Sequence, residues 1–207
     1  MPRAPRIWFP GAWYHIMARG DNREPIFFAE GDYLTYLRLL KATAARHRCR
    51  IHAYALMTNH VHLMVETGPV EPMAKPMQWL QTSYASYIHR KYRRVGHVFQ
   101  GRYRSILVER DSYALELSRY IHLNPVRANL VRDPLEYPWS SYRVYMGQED
   151  IGVVRTELLL DMISSSPAEQ RERYREFVLD GLNAPHDLME QVRNRQFLGS
   201  PEFVGNL

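Results

Sequence analysis

Two histidines stand one residue apart in the segment MTNHVHLMVE (57–66), and their type and spacing could do chemistry. The residues around them are apolar enough to predict a buried β-strand, where Val, Ile or Leu is usual. Alternate residues of a strand point to the same face, so His60 and His62 project together and could chelate a divalent metal ion. The same pattern also fits two half-buried structural histidines with hydrogen-bonded neighbours.

Several other metal and phosphate motifs are missing from the sequence. There is no H-E-x-x-H, no H-x-E with P-C-x-x-C, no H-x-H-x-D and no G-x-x-x-x-G-K-[ST]. Cys49 is the only cysteine. This excludes an internal disulfide framework and any zinc site built on several thiolates.

A second candidate site is the segment SRYIHLNPVRANLV, which holds Tyr120 and Asn124. A separation of four brings two helical side chains onto one face, one turn apart. Tyrosine can act as a covalent nucleophile, and the asparagine carbonyl suits Mg²⁺ or Mn²⁺. Two structural alternatives remain open from the pattern alone. Tyr120 fits a core tyrosine, and Asn124 followed by Pro125 fits a helix N-cap with proline at the first position.

The positive charge of the chain, formally +5, is concentrated in residues 89–110. Aromatic residues are interleaved there with seven basic residues, against Glu109 as the one acidic residue. Arginine pairs with phosphate and aromatic rings stack on unpaired bases, so the segment predicts nucleic-acid binding, with a solvated cationic surface as the alternative. The basic residues are Arg90, Lys91, Arg93, Arg94, Arg102, Arg104 and Arg110.

Hydrophobic periodicity predicts the elements that position these residues. Strands are expected at 13–18, 50–57, 60–66 and 104–109, with a two-residue hairpin turn at Thr58 and Asn59. Helices are expected over 32–47, within 72–93 and after an N-cap at Asp111. A break is expected at Asn124, because the residue before Pro125 disfavours helical backbone.

After Gly147 the sequence becomes helical in three segments: TELLLDMI, SPAEQRERYREFVLDGL and DLMEQVRNRQFL. A capping box of Ser166 and Glu169, with Pro167 between them, predicts the start of the second. The sequence therefore predicts an α+β domain over 1–146 and a helical C-terminal appendage over 147–207.

The composition, 45% hydrophobic and 24% charged over 207 residues, is that of an ordinary globular protein. No apolar run approaches the roughly 20 residues that span a bilayer. The N-terminus lacks the apolar region of a signal peptide, so we expect a cytoplasmic protein without membrane contact.

Four motifs, ARGDNREPIFF, YALMTNHVHLMVE, GHVFQGRYRS and YIHLNPVRANLV, resemble in this order the HUH single-tyrosine transposases. The branch associated with repetitive extragenic palindromes is the most similar. The resemblance covers residues 13–145, with Thr58 where relatives often have proline. The tail is less similar, although FLGSPEFV looks like the family's C-termini. The resemblance implies a central antiparallel sheet with packed helices, a ferredoxin/RRM-like core.

The resemblance also implies an activity: cleavage and rejoining of single-stranded DNA at hairpins formed by palindromic repeats. His60, His62 and Asn124 would bind a divalent metal, Mg²⁺ or Mn²⁺, and Tyr120 would attack DNA to form a 5′-phosphotyrosine. The covalent bond conserves the energy of the broken link, so rejoining needs no ATP. Tyr103 competes for the nucleophile's role, as do other tyrosines near basic residues: Tyr84, Tyr87 and Tyr92.

The remaining predictions concern DNA binding and assembly. Arg19, Asn22 and Arg23 are expected near an unpaired DNA segment, with a plain surface turn as the alternative. The cluster at 90–94, with Arg102 and Arg104, is expected to hold phosphates, which sets position but not sequence. The chain could be a monomer or a homodimer. Three other functions remain open: a domesticated repeat-processing enzyme, a non-catalytic hairpin-binding protein, and a metal-dependent nuclease that uses activated water.

Overall fold

Five strands form one sheet in the computed structural model, which describes residues 6–148, 152–182 and 188–207. They are β1 (Trp13–Arg19), β2 (Arg50–Met57), β3 (His60–Glu66), β4 (Arg104–Val108) and β5 (Phe197–Leu198). Their order across the sheet is β2-β3-β1-β4-β5. Neighbouring strands are antiparallel, except that β5 runs parallel to β4. The predicted α+β fold with a central antiparallel sheet is confirmed.

The helices pack on both faces of this sheet. They are α1 (Glu30–His47), α2 (Ala74–Tyr92), α3 (Arg110–Arg127), α4 (Tyr142–Tyr145), α5 (Glu157–Ile163), α6 (Gln170–Asp180) and α7 (Pro201–Gly205). The helices predicted over 32–47 and within 72–93 correspond to α1 and α2. Within the described residues, no helix is both long and apolar enough to cross a membrane.

The alternation of side chains along β3 decides what each face of the sheet carries. Val61, Leu63 and Val65 lie in a core shared with α1 and α2. The residues between them point to the opposite face, where Met64 packs with Leu117 and Ile121 of α3 in a second core. Both histidines of β3 are therefore on the face that α3 covers.

The turn between β2 and β3 is the two-residue hairpin that the sequence predicts. Met57 pairs with His60 across it, leaving Thr58 and Asn59 as the turn. The carbonyl of Asn59 also accepts a hydrogen bond of 2.8 Å from the backbone N–H of Gly20, at the end of β1. The start of β3 is thus held from both neighbouring strands.

Helix α3 differs from its prediction at both ends. The N-cap is Glu109, and Asp111 lies inside the first turn. The break expected at Asn124 is absent, since the helix continues through Pro125 to Arg127. Pro125 lies only two residues before the end, so the missing N–H removes one hydrogen bond of the last turn, while the proline ring is buried.

The tail also differs from its prediction. Helix α6 begins at Gln170, and the carbonyl of Ser166 accepts from the N–H groups of Glu169 and Gln170 in a turn before it. Residues 188–198, predicted helical, form a 3₁₀ turn (Leu188–Gln191) and then β5; Asp187 lies outside the described residues. Pairing with β4 outweighs the local helical pattern here. The domain boundary at 146 stays a prediction.

Candidate active site

The two histidines of β3 open onto a pocket of about 500 Å³ at the end of the sheet. His62 is buried, His60 is half-buried, and their ring centroids are 5.0 Å apart. The pocket is also lined by Met17, Ala18, Arg19, Gln100, Gly101, Arg102 and Arg104. The strand alternation thus presents two imidazoles next to a set of cationic side chains.

A third histidine, His15 of β1, lies against this pair. Its Nε2 is 2.8 Å from Nδ1 of His62, and the two rings are stacked with centroids 5.1 Å apart. His15 is fully buried. His15 is not among the predicted site residues, although it carries the signal that pointed to His60 and His62, a histidine among the apolar residues of a strand.

Asn59, also missed, contacts the other histidine of the pair. Its Oδ1 is 2.7 Å from Nδ1 of His60. Its Nδ2 donates a hydrogen bond of 2.8 Å to the carbonyl of Arg23. The hairpin turn therefore fixes Nδ1 of His60, and Nε2 is the ring nitrogen that does not take part in this contact.

Burial keeps all three imidazoles neutral at neutral pH. It lowers the pKa of His60 to about 4, with a smaller contribution from the Arg19 cation. Burial also puts the pKa of His62 well below its usual value, and lowers that of His15 to about 3. A neutral imidazole has the lone pair that a metal ion needs, so the protonation state suits metal binding.

Tyr120 of α3 lies beside the histidines. The centroid of its half-buried ring is 5.8 Å from that of His62 and 5.8 Å from that of His15, both in edge-on contact. The Arg127 guanidinium lies 5.5 Å from the centroid of the same ring. This cation–π contact keeps a positive charge beside the Tyr120 ring.

Asn124 follows Tyr120 by one turn of α3, as its spacing predicts. Its Nδ2 donates a hydrogen bond of 2.8 Å to the carbonyl of Tyr120. In the described residues, no group of three or more His, Cys, Asp or Glu side chains could hold a metal ion. A metal site on the histidines of β3 would therefore need a ligand of another type, such as an amide oxygen.

The competing tyrosines are buried or hydrogen-bonded elsewhere. Tyr84 is fully buried, and its hydroxyl donates to the carbonyl of Ile26 at 2.7 Å. Tyr103 is buried in the core on the α1 and α2 side of the sheet. The hydroxyls of Tyr87 and Tyr92 both donate to the carboxylate of Asp32, at 2.9 and 2.7 Å. Of the tyrosines in the described residues, Tyr120 is the one in ring contact with His15 and His62.

The predicted DNA-binding residues fall into three groups. Arg19, Arg102 and Arg104 are exposed and line the histidine pocket. Asn22 and Arg23 are exposed in a 3₁₀ turn (Asp21–Arg23) joined to Asn59. The others lie at or just after the C-terminal end of α2, away from the pocket lining: Arg90, Lys91, Arg93 and Arg94.

Comparison with protein families assigns the chain. The model of the IS200-like transposases matches residues 9–124, which is more than half of the 207 residues and includes both histidines, Tyr120 and Asn124. The chain belongs to the IS200-like transposase family. A search of curated proteins finds no match.

One solved structure shares the fold of this chain. A REP-associated tyrosine transposase bound to a REP hairpin matches with a TM-score of 0.61 and 13% identity, over 75% of this chain and 98% of that one. A candidate transposase from Deinococcus radiodurans is 17% identical over 58% of this chain and 95% of its own, with a TM-score of 0.42. At these identities, the first match shows a shared fold, and the second carries no argument.

Proposed function

We propose that this transposase cleaves and rejoins single-stranded DNA at hairpins of palindromic repeats, with Tyr120 as the nucleophile and a divalent metal ion as cofactor. The observation that carries the proposal is the edge-on contact of Tyr120 with His62 and His15, at 5.8 Å between ring centroids. A phenol beside neutral imidazoles and a cationic pocket supports phosphodiester attack by tyrosine, because imidazoles can bind a metal ion and cationic side chains can stabilise the charge on a phosphate.

The residues at the site fit a divalent metal ion. His60 and His62 are neutral imidazoles that share one pocket, and Asn124 carries an amide oxygen one helical turn from Tyr120. These three residues would hold Mg²⁺ or Mn²⁺, with the amide oxygen of Asn124 as the type of ligand that both ions favour. When bound, the ion would polarise the scissile phosphate.

Tyr120 would supply the attacking oxygen. A bond forms between its phenolic oxygen and the phosphorus, and the bond from phosphorus to the 3′-oxygen breaks. The enzyme then carries the 5′-phosphate, and the leaving 3′-oxygen takes up a proton as a hydroxyl. Arg127, whose guanidinium lies 5.5 Å from the ring centroid, would stabilise the phenolate during loss of its proton. The reverse reaction with a 3′-hydroxyl rejoins the strand.

The arginines of the pocket would bind the DNA backbone. Arg19, Arg102 and Arg104 surround the histidines with exposed guanidinium groups, which suit phosphate oxygens. Asn22 and Arg23 lie on the adjoining turn and would contact unpaired nucleotides next to the cleaved bond. The basic end of α2 would contact the backbone further away, through Arg90, Lys91, Arg93 and Arg94.

A hairpin substrate is supported by the similar REP-associated transposase, whose structure contains a REP hairpin. Shape and backbone contacts select a folded DNA, while unpaired bases are read individually. The DNA partner of this chain is therefore proposed to be a hairpin with a single-stranded flank.

The test uses single-stranded hairpin oligonucleotides from palindromic repeats of the host genome, with Mg²⁺ or Mn²⁺, on a denaturing gel. We expect a covalent protein–DNA band that disappears in Tyr120→Phe, in His60→Ala/His62→Ala and when the metal is chelated. Tyr113→Phe is the matched control, since Tyr113 is a half-buried tyrosine of the same helix and should leave the band intact.

Other outcomes would replace the proposal. Cleavage without a covalent band indicates a nuclease that uses activated water. Tight, metal-independent hairpin binding without cleavage, unchanged in Tyr120→Phe, indicates a binding protein.

A further inference from the structure

We propose that Asn59 and His15 are positioning residues that set the tautomers of His60 and His62, so that both histidines present an unprotonated Nε2 to the pocket. Neither residue lines the pocket. Each acts through the histidine it touches. The inference deepens the proposed function, on which it rests, because the two Nε2 atoms are the ones left to bind a divalent cation.

The tautomer of His60 follows from the orientation of the Asn59 amide. Its Nδ2 donates to the carbonyl of Arg23 at 2.8 Å, so its Oδ1 is the atom 2.7 Å from Nδ1 of His60. A carbonyl oxygen only accepts, so Nδ1 of His60 carries the single proton of the neutral ring. The lone pair of His60 is then on Nε2, ready for a cation.

The tautomer of His62 depends on His15 in the same way. One proton lies between Nδ1 of His62 and Nε2 of His15, which are 2.8 Å apart. If His62 donates it, Nε2 of His62 has the lone pair. If His15 donates it, the proton of His62 lies on Nε2 and blocks cation binding. His15 must therefore act as the acceptor in the cation-bound protein.

The acceptor role has a local cost. When His15 accepts at Nε2, its own proton lies on Nδ1, which is buried and has no hydrogen-bond partner in the described ranges. This favours the blocking arrangement in the cation-free protein. Both arrangements hold the same number of protons, so a cation selects between them without any titration. Second partners of this kind orient metal-binding histidines in general.

Direct ligation by His15 does not fit the geometry. Its Nε2 faces His62, and the ring is fully buried. Its Nδ1 is buried as well, so neither nitrogen is open to the pocket while the contact with His62 exists. His15 acts as a support for a ligand.

The test measures Mn²⁺ affinity by titration calorimetry on the full chain without DNA. His15→Leu removes the acceptor, and we expect the affinity to fall about 10- to 100-fold. His15→Gln provides an amide oxygen near the position of Nε2 and should recover most of this loss. Asn59→Leu should weaken Mn²⁺ binding in the same way. His52→Leu is the control, since His52 is a buried histidine of β2 that pairs with Glu66 and should leave the affinity unchanged.

Three results would overturn the inference. The first is a folded His15→Leu variant that binds Mn²⁺ as tightly as the wild type. The second is a His15→Gln variant that loses as much Mn²⁺ affinity as His15→Leu. The third is a wild-type protein that does not bind Mn²⁺. If His15→Leu does not fold, nitrogen-15 NMR of the wild type decides, since His60 must carry its proton on Nδ1, and His62 must do the same when Mg²⁺ is bound. The covalent-band assay is independent of these affinities. If the band forms but the variants bind Mn²⁺ as the wild type does, the proposed function stands and this inference fails. If the variants lose Mn²⁺ affinity as expected but no band forms, the inference about the cation site stands and the proposed function fails.

Discussion

At the scale of single residues, ion pairing divides the basic side chains into two kinds. Lys91 lies 2.6 Å from the carboxylate of Asp32, which is fully buried. Arg94 pairs with Glu24. By contrast, Arg102 and Arg104 form no ion pair in the described part of the chain, and both line the histidine pocket. A basic side chain that is already paired with a carboxylate neutralises a DNA phosphate less, so its binding releases fewer counterions from the DNA.

This difference predicts unequal effects on hairpin binding. Arg102→Gln should weaken binding of a hairpin oligonucleotide and lower the slope of log affinity against log salt by about 1. Lys91→Gln should change the slope less, because its charge is neutralised by Asp32. Fluorescence anisotropy from low to high salt measures both. Equal slope changes in the two variants would contradict the division.

At the scale of elements, a buried chain of hydrogen bonds ties α6 to the helix that carries Tyr120. The Tyr174 hydroxyl of α6 donates to Oγ of Ser118 at 2.8 Å and lies 2.9 Å from Nδ1 of His122. Nε2 of His122 is 2.7 Å from Oγ of Ser141, which accepts from the N–H of Tyr54 in β2. These contacts connect the tail, α3 and the sheet.

Breaking this chain should affect both stability and chemistry. We expect Tyr174→Phe to lower the free energy of unfolding by about 1–2 kcal/mol, because buried polar groups lose a partner. Covalent-band formation should slow while hairpin affinity stays constant, because the change displaces the helix carrying Tyr120 and not the DNA contacts. Urea unfolding and timed gels measure the two effects. Tyr113→Phe, the control on α3, should show neither, and an equal effect there would contradict the prediction.

At the scale of the whole molecule, buried neutral histidines make stability depend on pH. Burial lowers the pKa of His122 to about 3, and burial with the nearby Arg104 cation does the same for His15. The unfolded chain, with ordinary histidines, takes up protons below about pH 6.5, whereas the native protein does not until near pH 3. The stabilisation is therefore complete above pH 6.5 and is lost as the pH falls towards 3.

We expect urea unfolding at pH 5 to give a lower free energy than at pH 7.5, by up to about 2 kcal/mol for each of these histidines. His122→Gln, which removes one titrating group, should show a shallower decline between the two pH values. A wild-type stability that is flat from pH 7.5 to 5 would show that these histidines protonate equally easily in the folded chain.

The sequence by itself determined the features that depend on short-range periodicity. The alternation of β3 puts His60 and His62 on one face, the two-residue turn joins β2 to β3, and the four-residue spacing puts Asn124 one turn after Tyr120. The period-2 and 3.6 patterns are local, so they can be read without knowing what packs where.

Only the tertiary structure decided which residues far apart in the sequence meet, both at the site and elsewhere. His15 meets His62 across 47 positions of sequence, and Lys91 meets Asp32 across 59. The continuation of α3 through Pro125 and the pairing of β5 with β4 also contradict the local pattern. Each of these depends on burial and hydrogen bonding between segments that are far apart in the chain, and such contacts leave no periodic signal in either segment alone.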